Sequence, residues 1–154
     1  MNISVESVAT VRSPRTGLED DNWGDVESRI ELVEGMAPES LDGIDAFTHL
    51  EIIFYFDQLP DDMVEWKSRH PRGSPAWPKV GIFAQRAAGR PNRLGTTMVQ
   101  LVGREGRALI VRGLDAADGT PVLDIKPVMR DFLPRGEVRQ PQWATQLMHH
   151  YWVS

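Results

Sequence analysis

The alternation of apolar and polar residues predicts a chain built mostly from short β-strands. In seven segments, apolar residues either occupy every second position or form short runs rich in β-branched and aromatic residues. These segments are residues 1–11, 28–34, 48–57, 79–84, 96–103, 107–114 and 120–127. Turn-forming or proline-rich stretches separate most of them, including the Asp118–Gly119 pair before the last segment. Because the strands do not alternate with helices, the pattern favours a β-barrel over a doubly wound sheet.

Only the C-terminal stretch has the spacing of a helix. Pro141 suits the first helical position, and the predicted helix covers about residues 141–152. Its apolar residues form one stripe, made of Trp143, Ala144, Leu147, Met148 and Tyr151. The predicted fold class is therefore mainly all-β, a small closed or nearly closed barrel of about seven strands with a C-terminal helix. We expect the whole chain of 154 residues to form one domain.

Charge and composition narrow the possible partners. The chain has 22 acidic and 17 basic residues and a formal net charge of -5, so a nucleic-acid partner would need a local basic patch. It has no cysteine and only four histidines, so we expect no metal site. The N-terminus lacks the pattern of a signal peptide, and no apolar run approaches the roughly 20 residues of a membrane span. We therefore expect a cytoplasmic protein without membrane contact.

The segment RAAGRPNRLG, residues 86–95, is the strongest candidate for a binding site. Arginine holds a carboxylate or phosphate through two parallel hydrogen bonds, so a loop that presents Arg86, Arg90 and Arg93 suits an anion. The alternative is that most of these arginines are solvated, or form ion pairs with the acidic residues of 19–25.

Four residues are expected to shape this arginine loop. Pro91 restricts the backbone, and Asn92 tolerates the left-handed region of backbone conformation. Gly89 and Gly95 allow positive φ angles, which cost glycine no steric energy. The sequence therefore predicts a loop that holds its arginines on a fixed support.

Three further residues carry polar or aromatic chemistry next to apolar segments. Asp115 follows a predicted strand, where a carboxylate could hold ribose hydroxyls or an amino group. His49 lies among residues expected to be buried, so it is either a hydrogen-bonded core residue, which we favour, or a proton acceptor. Trp23 stands in an acidic loop, where its ring would be exposed and either stack on an adenine or pack on the barrel rim.

Four segments together resemble the TsaA-like family, also called YaeB-like. They are VRSP at Val11–Pro14, FTHL at Phe47–Leu50, FAQRAAGRPNRLG at Phe83–Gly95 and LDAADGTPVLDIKP at Leu114–Pro127, and their order and spacing match. The resemblance extends from about residue 5 to about residue 130. It implies a small β-barrel methyltransferase that binds S-adenosylmethionine and forms a homodimer. The best known branch of the family methylates the threonylcarbamoyl-modified adenosine beside a tRNA anticodon, which implies tRNA as a possible acceptor.

The resemblance also implies a set of cofactor-binding residues. In the arginine loop they are Arg86, Arg90, Asn92 and Gly95, with one arginine holding the cofactor's carboxylate. The others are Phe56 and Asp57 at the end of an aromatic strand, Leu114 and Asp115 before a turn, and Asn22, Trp23 and Gly24 in the DNWG loop. Three positions depart from the family pattern, because RPNRLG replaces RPNPIG, which changes residues 93 and 94, and Asp57 replaces a histidine.

Methyl transfer to an adenine nitrogen requires a proton to leave that nitrogen as the new bond forms. The candidate proton acceptors are His49 and Asp57. The predicted function is an S-adenosylmethionine-dependent methyltransferase, with N6-methylation of a modified adenosine next to the tRNA anticodon as its expected reaction. The alternatives are a small-molecule methyltransferase, a sensor that binds S-adenosylmethionine without turnover, and a barrel whose arginine loop binds an acidic or phosphorylated partner.

Overall fold

The computed structural model describes residues 1–153 and contains eight β-strands. In chain order they are β1 (Ala9–Arg12), β2 (Glu27–Leu32), β3 (His49–Tyr55), β4 (Ser68–Arg69), β5 (Val80–Gly81), β6 (Leu94–Glu105), β7 (Ala108–Arg112) and β8 (Pro121–Pro127). Six of them form a closed antiparallel barrel in the order β1, β2, β7, β6, β3, β8. The pairing of β8 with β1, which places Ala9 opposite Val122, closes the sheet on itself.

The remaining elements lie outside the barrel wall. β4 and β5 pair with each other as a small separate sheet. Short 3-10 turns occur at Pro38–Leu41, Ile44–Ala46, Asp61–Met63, Pro71–Gly73, Ile82–Ala84, Pro91–Arg93 and Arg130–Phe132. The α-helix of the described residues, α1, covers Gln142–Leu147. Connections of this kind lie on the surface of a folded domain, where binding residues are often found.

The barrel interior is filled with apolar side chains. Along β3, Leu50, Ile52 and Phe54 are buried, whereas the residues between them are at least partly accessible. The other strands contribute Ala9, Val11, Ile30, Val99, Leu109, Val111 and Val122 to the same core. Each large apolar side chain stabilises the fold by about 1.5–3 kcal/mol when it is fully buried. Because side chains fill the interior, a ligand must bind at an end of the barrel or on its outer surface.

The predicted fold class is confirmed, although the barrel has six strands where about seven were expected. The prediction of a strand over residues 79–84 is wrong. Only Val80–Gly81 form a strand, outside the barrel, and Ile82–Ala84 form a 3-10 turn. The side-chain amide of Gln85 donates to the carbonyl oxygen of Val80 at 3.0 Å. A side chain therefore provides this carbonyl group with the hydrogen bond that a neighbouring strand would provide in a longer ladder.

Both ends of the chain have shorter elements than predicted. The first strand begins at Ala9 because residues 1–7 are exposed and lie outside the ladders that β1 forms. The helix predicted over 141–152 is present but ends at Leu147. Residues 148–152 turn back towards the barrel, where His150, Tyr151 and Trp152 accept backbone hydrogen bonds from residues 22–24 in place of further helical turns.

Gly95, at the start of β6, allows that strand to pass close to the ring of Phe54. A Cβ atom at Gly95 would lie 2.5 Å from both Cε2 and Cζ of Phe54. The ring is 1% exposed, so neighbouring side chains hold it in place. We expect Gly95→Ala to lower the free energy of unfolding by about 1–3 kcal/mol, the usual cost of overpacking a core. Urea denaturation measures this difference.

Gly103→Ala is the matched control for that measurement. Gly103 lies on the same strand, and within residues 1–153 a Cβ atom there would meet nothing within 4 Å. Its free energy of unfolding should stay within about 0.5 kcal/mol of the unaltered protein. Equal losses in the two variants would contradict the packing argument.

Candidate functional site

Polar side chains from three parts of the chain meet at one end of the barrel. Asp115 follows β7, Thr97 belongs to β6, and Tyr151 comes from the segment after α1. We call Thr97, Asp115 and Tyr151 the Asp115 cluster. Arg86 lies beside this cluster, and its Nη2 donates to the carbonyl oxygen of Thr96 at 2.6 Å.

Both carboxylate oxygens of Asp115 accept a hydrogen bond from the protein. The Thr97 hydroxyl donates to Oδ1, and the Tyr151 hydroxyl donates to Oδ2. Thr97 is buried in the barrel wall, with 8% of its surface exposed, so it gives the carboxylate a fixed support. An ionised carboxylate can accept about four hydrogen bonds. Asp115 therefore keeps accepting capacity for a ligand hydroxyl or amine.

The environment of Tyr151 keeps its phenol protonated. Burial raises the pKa of Tyr151 well above its ordinary value, and the charge of Asp115 and the hydrogen bond to it act in the same direction. The positive charges of Arg86 and Arg72 oppose this rise but do not cancel it. At neutral pH, Tyr151 is therefore a neutral hydrogen-bond donor to Asp115.

The DNWG loop is bound by residues 148–152, which follow α1 and which we call the C-terminal segment. The backbone N–H groups of Asn22, Trp23 and Gly24 donate to the carbonyl oxygens of His150, Tyr151 and Trp152 at 3.0, 2.8 and 2.9 Å. A Cβ atom at Gly24 would lie 2.0 Å from the Trp152 oxygen, so only glycine permits this approach. While the segment is in place, these three backbone donors are already used and cannot bind a cofactor.

Trp23 is buried, so the expectation of an exposed ring in this loop is wrong. Only 2% of Trp23 is exposed, and its Nε1 donates to the carbonyl oxygen of Glu19 at 3.0 Å. The guanidinium carbon of Arg15 lies 3.7 Å from the ring centroid, a cation–π contact that covers one face. An adenine cannot stack on a ring that is packed in this way.

Arg93 fastens the arginine loop to the connection that follows β3. Its Nη1 donates to the carbonyl oxygen of Leu59 at 2.8 Å, and its Nη2 forms an ion pair with Asp61. Only 13% of the Arg93 side chain is exposed. The arginine that is absent from the family pattern therefore acts as a structural contact between two connections.

Arg86 and Arg90 leave more of their donors free for a ligand. Arg90 donates from Nη1 to the carbonyl oxygen of Gln85 at 2.6 Å, and Arg86 donates to that of Thr96. Arg86 is exposed and Arg90 is half-buried. Since a guanidinium has five N–H donors, each arginine can make further hydrogen bonds to an anion.

Two non-glycine residues of the arginine loop have a left-handed backbone conformation. Asn92 has the expected positive φ of 64°, and Arg93 also has a positive φ, of 51°. Gly89 and Gly95 allow such angles but are not among the positive-φ glycines of the described residues. Gly89 serves a close approach instead, because a Cβ atom there would lie 2.4 Å from the carbonyl oxygen of Met63.

The acidic residues of 19–25 pair with arginines outside the loop. Arg72 contacts Asp21, with 2.9 Å between Nη2 and Oδ1, and Arg15 lies 3.4 Å from the carboxylate of Glu19. The alternative in which this acidic stretch pairs with the loop arginines is therefore wrong. The charges of Arg86 and Arg90 are not neutralised by these acidic residues.

The other residues expected at the site are divided between the core and the surface. Leu114 is fully buried, and Phe56 packs edge-to-face on Phe54 with 5.2 Å between ring centroids. Asp57 and His49 are exposed, and β3, which spans about 20 Å, separates them. His49 is therefore not the core residue that we expected; its Nδ1 lies 2.7 Å from the hydroxyl oxygen of Thr48.

Two surface depressions lie apart from the Asp115 cluster. One, of about 250 Å³, is lined by residues that include Tyr55, Trp66 and Arg90. The other is a groove of about 660 Å³ whose lining includes Arg29 and Arg104, each paired with an acidic side chain. Residues 1–153 contain no group of three or more histidine or acidic side chains that could hold a metal ion. Over the same residues, every helix is too short or too polar to cross a membrane.

Sequence reasoning missed the roles of Thr97 and Tyr151. Thr97 belonged to a predicted strand, and Tyr151 to the apolar stripe of the predicted helix. The available signal was a hydroxyl group within an otherwise apolar face, because a buried hydroxyl must find a partner. That signal does not identify Asp115, which lies 18 residues from Thr97 and 36 residues from Tyr151.

The closed six-stranded barrel, with the arginine loop and the Asp115 cluster at one end, defines a small β-barrel protein with a polar site outside its core. Comparison with known proteins identifies the family. The model of the tRNA-methyltransferase O N-terminal domain matches residues 10–132, and the chain belongs to this family. The resemblance to the TsaA-like family is thereby confirmed.

Individual relatives agree with this assignment. A mouse protein named tRNA (adenine(37)-N6)-methyltransferase is 41% identical over 93 residues, which cover 60% of this chain and 21% of that protein. A "probable S-adenosyl-L-methionine-binding protein" from Methanothermobacter thermautotrophicus is 33% identical over 135 residues, covering 85% of this chain and 93% of that protein. The crystal structure of TrmO from Pseudomonas aeruginosa aligns with a TM-score of 0.74 and 28% identity, over 93% of this chain and 62% of that one. The chain spans less than two thirds of the length of most of the curated relatives that it matches.

The raised pKa of Tyr151 predicts a loss of stability at alkaline pH. Below about pH 10, the ordinary pKa of tyrosine, the phenol is protonated in both the folded and the unfolded chain, and its stabilising contribution is fully present. Above this pH the unfolded chain releases the proton while the folded protein keeps it, so the free energy of unfolding falls. Urea denaturation between about pH 9 and pH 11 should show a smaller fall for Tyr151→Phe. The same slope in both proteins would argue against a buried phenol bonded to Asp115.

Proposed function

We propose that this protein is an S-adenosylmethionine-dependent methyltransferase that acts on N6 of a modified adenosine next to the tRNA anticodon. The main support is the match to the tRNA-methyltransferase O N-terminal domain over residues 10–132, which include Arg86 and Asp115. The mouse relative is named for N6-methylation of adenine 37 of tRNA, and the archaeal relative for binding S-adenosylmethionine. The first name supports the acceptor, and the second supports the cofactor.

Arg86 and Asp115 have the chemistry that the cofactor requires. S-adenosylmethionine, which would supply the methyl group from its sulfonium, also carries a carboxylate, an amine and ribose hydroxyls. Arg86 has donors left beyond its bond to Thr96 and can hold the carboxylate. Asp115 has accepting capacity left beyond the Thr97 and Tyr151 hydroxyls and can hold the amine or a ribose hydroxyl.

The other expected cofactor residues form two groups: residues that contact the cofactor and residues that hold the site in place. We assign ligand contacts to those whose side chains are at least partly exposed, namely Arg90, Asn92, Asp57 and Asn22. We assign support through packing or backbone contacts to Gly95, Phe56, Leu114, Trp23 and Gly24. In this arrangement the DNWG loop contributes at most one side chain to the cofactor, because its backbone donors are already paired.

The reaction requires a group that receives the proton of the acceptor nitrogen. The new N–C bond forms as the methyl donor's S–C bond breaks, and the proton leaves N6. We propose Asp57 as its acceptor, because this exposed carboxylate follows β3 beside the arginine loop, where the Phe56 N–H donates to the carbonyl oxygen of Arg93 at 2.9 Å. His49 lies at the opposite end of β3 and cannot serve the same site.

A protein that binds S-adenosylmethionine without transferring its methyl group is the second candidate. The archaeal relative, which this chain covers over 93% of its length, is named only for binding. The mouse enzyme, in contrast, extends well beyond the matching part, which is 21% of its length. The two candidates share the cofactor site and differ in whether an acceptor site exists.

We also propose a homodimer in the cytoplasm. Several large apolar side chains of this barrel are exposed, among them Phe83 at 78% and Leu94, Met98 and Val102 of β6 at 46–47%. Contact between two copies would remove such a surface from water, which is favourable. The cytoplasmic location follows from tRNA as the proposed acceptor.

Calorimetric titration with S-adenosylmethionine tests the cofactor assignment. We expect saturable binding that Arg86→Ala weakens more than about tenfold, because a hydrogen bond between charged groups contributes about 1.5–3 kcal/mol. Arg130→Ala is the matched control, since Arg130 is exposed and follows the end of β8 that pairs with Leu50. If the unaltered protein gives no heat of binding and no thermal shift with S-adenosylmethionine, both candidates are contradicted.

Transfer of labelled methyl groups to bulk tRNA separates the two candidates. We expect incorporation by the unaltered protein and, at saturating cofactor, a rate at least about 100-fold lower for Asp57→Asn, in keeping with the loss of a general base. His49→Gln should keep the original rate. Tight cofactor binding without any product would favour the binding protein, and an unchanged rate in Asp57→Asn would exclude Asp57 as proton acceptor.

A further inference from the structure

We propose that Tyr151 is a positioning residue that holds the carboxylate of Asp115 in its ligand-binding orientation. This inference rests on the proposed function, because the ligand is the cofactor assigned above. Tyr151 lies outside residues 10–132, so the family match gives it no role. It acts through Asp115 and does not itself contact the cofactor.

The two hydrogen bonds to Asp115 fix the direction of its carboxylate. Thr97 donates to Oδ1 from the barrel wall, and Tyr151 donates to Oδ2 from the C-terminal segment. With one donor on each oxygen, the group cannot rotate without breaking a bond. The remaining lone pairs therefore keep constant directions, which lowers the entropic cost of binding an amine or a hydroxyl.

The backbone around Tyr151 is held by contacts that do not involve its hydroxyl. The carbonyl oxygens of residues 150–152 accept hydrogen bonds from the DNWG loop. On the preceding helix, the side-chain oxygen of Gln146 accepts a hydrogen bond from Trp77 Nε1 at 2.9 Å. Removal of the hydroxyl alone should therefore leave the segment in place, which makes its effect on Asp115 measurable.

A tyrosine suits this position better than a charged donor would. The hydroxyl of Tyr151 faces Asp115, and the positive charges of Arg86 and Arg72 also act on this hydroxyl. Because the phenol stays protonated, it orients Asp115 without neutralising its negative charge. A lysine or arginine in the same place would form an ion pair with Asp115 and weaken its attraction for a cationic ligand amine.

A double-mutant cycle tests the inference. Calorimetry gives the affinity for S-adenosylmethionine of the unaltered protein, Tyr151→Phe, Asp115→Asn and the double variant. We expect Tyr151→Phe to weaken binding about tenfold, the size of one ordinary hydrogen bond. In the Asp115→Asn background the same change should alter affinity less than about twofold, because Tyr151 acts through the missing carboxylate.

Two results would overturn this inference. One is an unchanged affinity in Tyr151→Phe, and the other is an equal loss in both backgrounds, which would make the effect of Tyr151 independent of Asp115. The matched control is His149→Ala, an exposed position in the same segment, which should bind normally. If Tyr151→Phe binds S-adenosylmethionine as tightly as the unaltered protein does, only this inference is contradicted. If the unaltered protein does not bind S-adenosylmethionine, the proposed function is contradicted as well.

Thr97→Val gives an independent measurement if Tyr151→Phe does not fold. It removes the other hydroxyl that orients Asp115 and leaves the C-terminal segment unaltered. It should also weaken binding about tenfold when Asp115 is present and less than about twofold in the Asp115→Asn background. Equal losses in both backgrounds would again overturn the positioning role.

Discussion

The closure of the barrel between β1 and β8 is the constraint on which the rest of the structure depends. β1 has only four residues, and two of them, Ala9 and Thr10, pair with β8. Backbone hydrogen bonds at both ends extend this seam, from Val8 to the Val122 oxygen and from Gly119 to the Val11 oxygen, both at 2.8 Å. Without the seam, two strand edges and the apolar interior would meet water. Because Asp115 lies on the connection from β7 to β8, the seam also fixes one end of the connection that carries it.

Contacts within the protein hold the arginine loop in its conformation. Gly89 packs directly against the backbone of Met63, and Arg93 reaches the carbonyl oxygen of Leu59. The left-handed conformations of Asn92 and Arg93 cost energy, and such conformations persist only where the surroundings hold them. The backbone that carries Arg86 and Arg90 is therefore already ordered, so ligand binding does not have to supply that ordering free energy.

Much of the barrel could be predicted from the sequence, because alternation along a strand reflects one buried and one exposed face. β3 shows this directly, with every second residue in the core. The same reasoning failed for residues 79–84, where Ile82 is buried and its neighbour Phe83 is exposed within a turn that belongs to no barrel strand. The sequence of a six-residue apolar run does not determine how many of its side chains pack against a sheet.

Only part of the candidate site could be predicted from the sequence. Arg86 was proposed from the charge of its loop and Asp115 from its place after a strand, and the family resemblance implied both, but the contacts of Asp115 with Thr97 and Tyr151 were not predicted. Those contacts depend on the path by which the chain returns after α1, and no local pattern encodes that path. Trp23 was misplaced for a related reason, since its burial requires Arg15 to fold over the ring.

The pairing of the DNWG loop with the C-terminal segment has a consequence for motion. Three backbone hydrogen bonds hold this contact, and the exposed residues 133–140 connect the segment to the barrel. Local opening of such a contact costs less free energy than unfolding a closed sheet. The amide hydrogens of Asn22, Trp23 and Gly24 should therefore exchange with solvent through detachment of the segment while the barrel stays folded, so their exchange rates report when this end of the molecule is open.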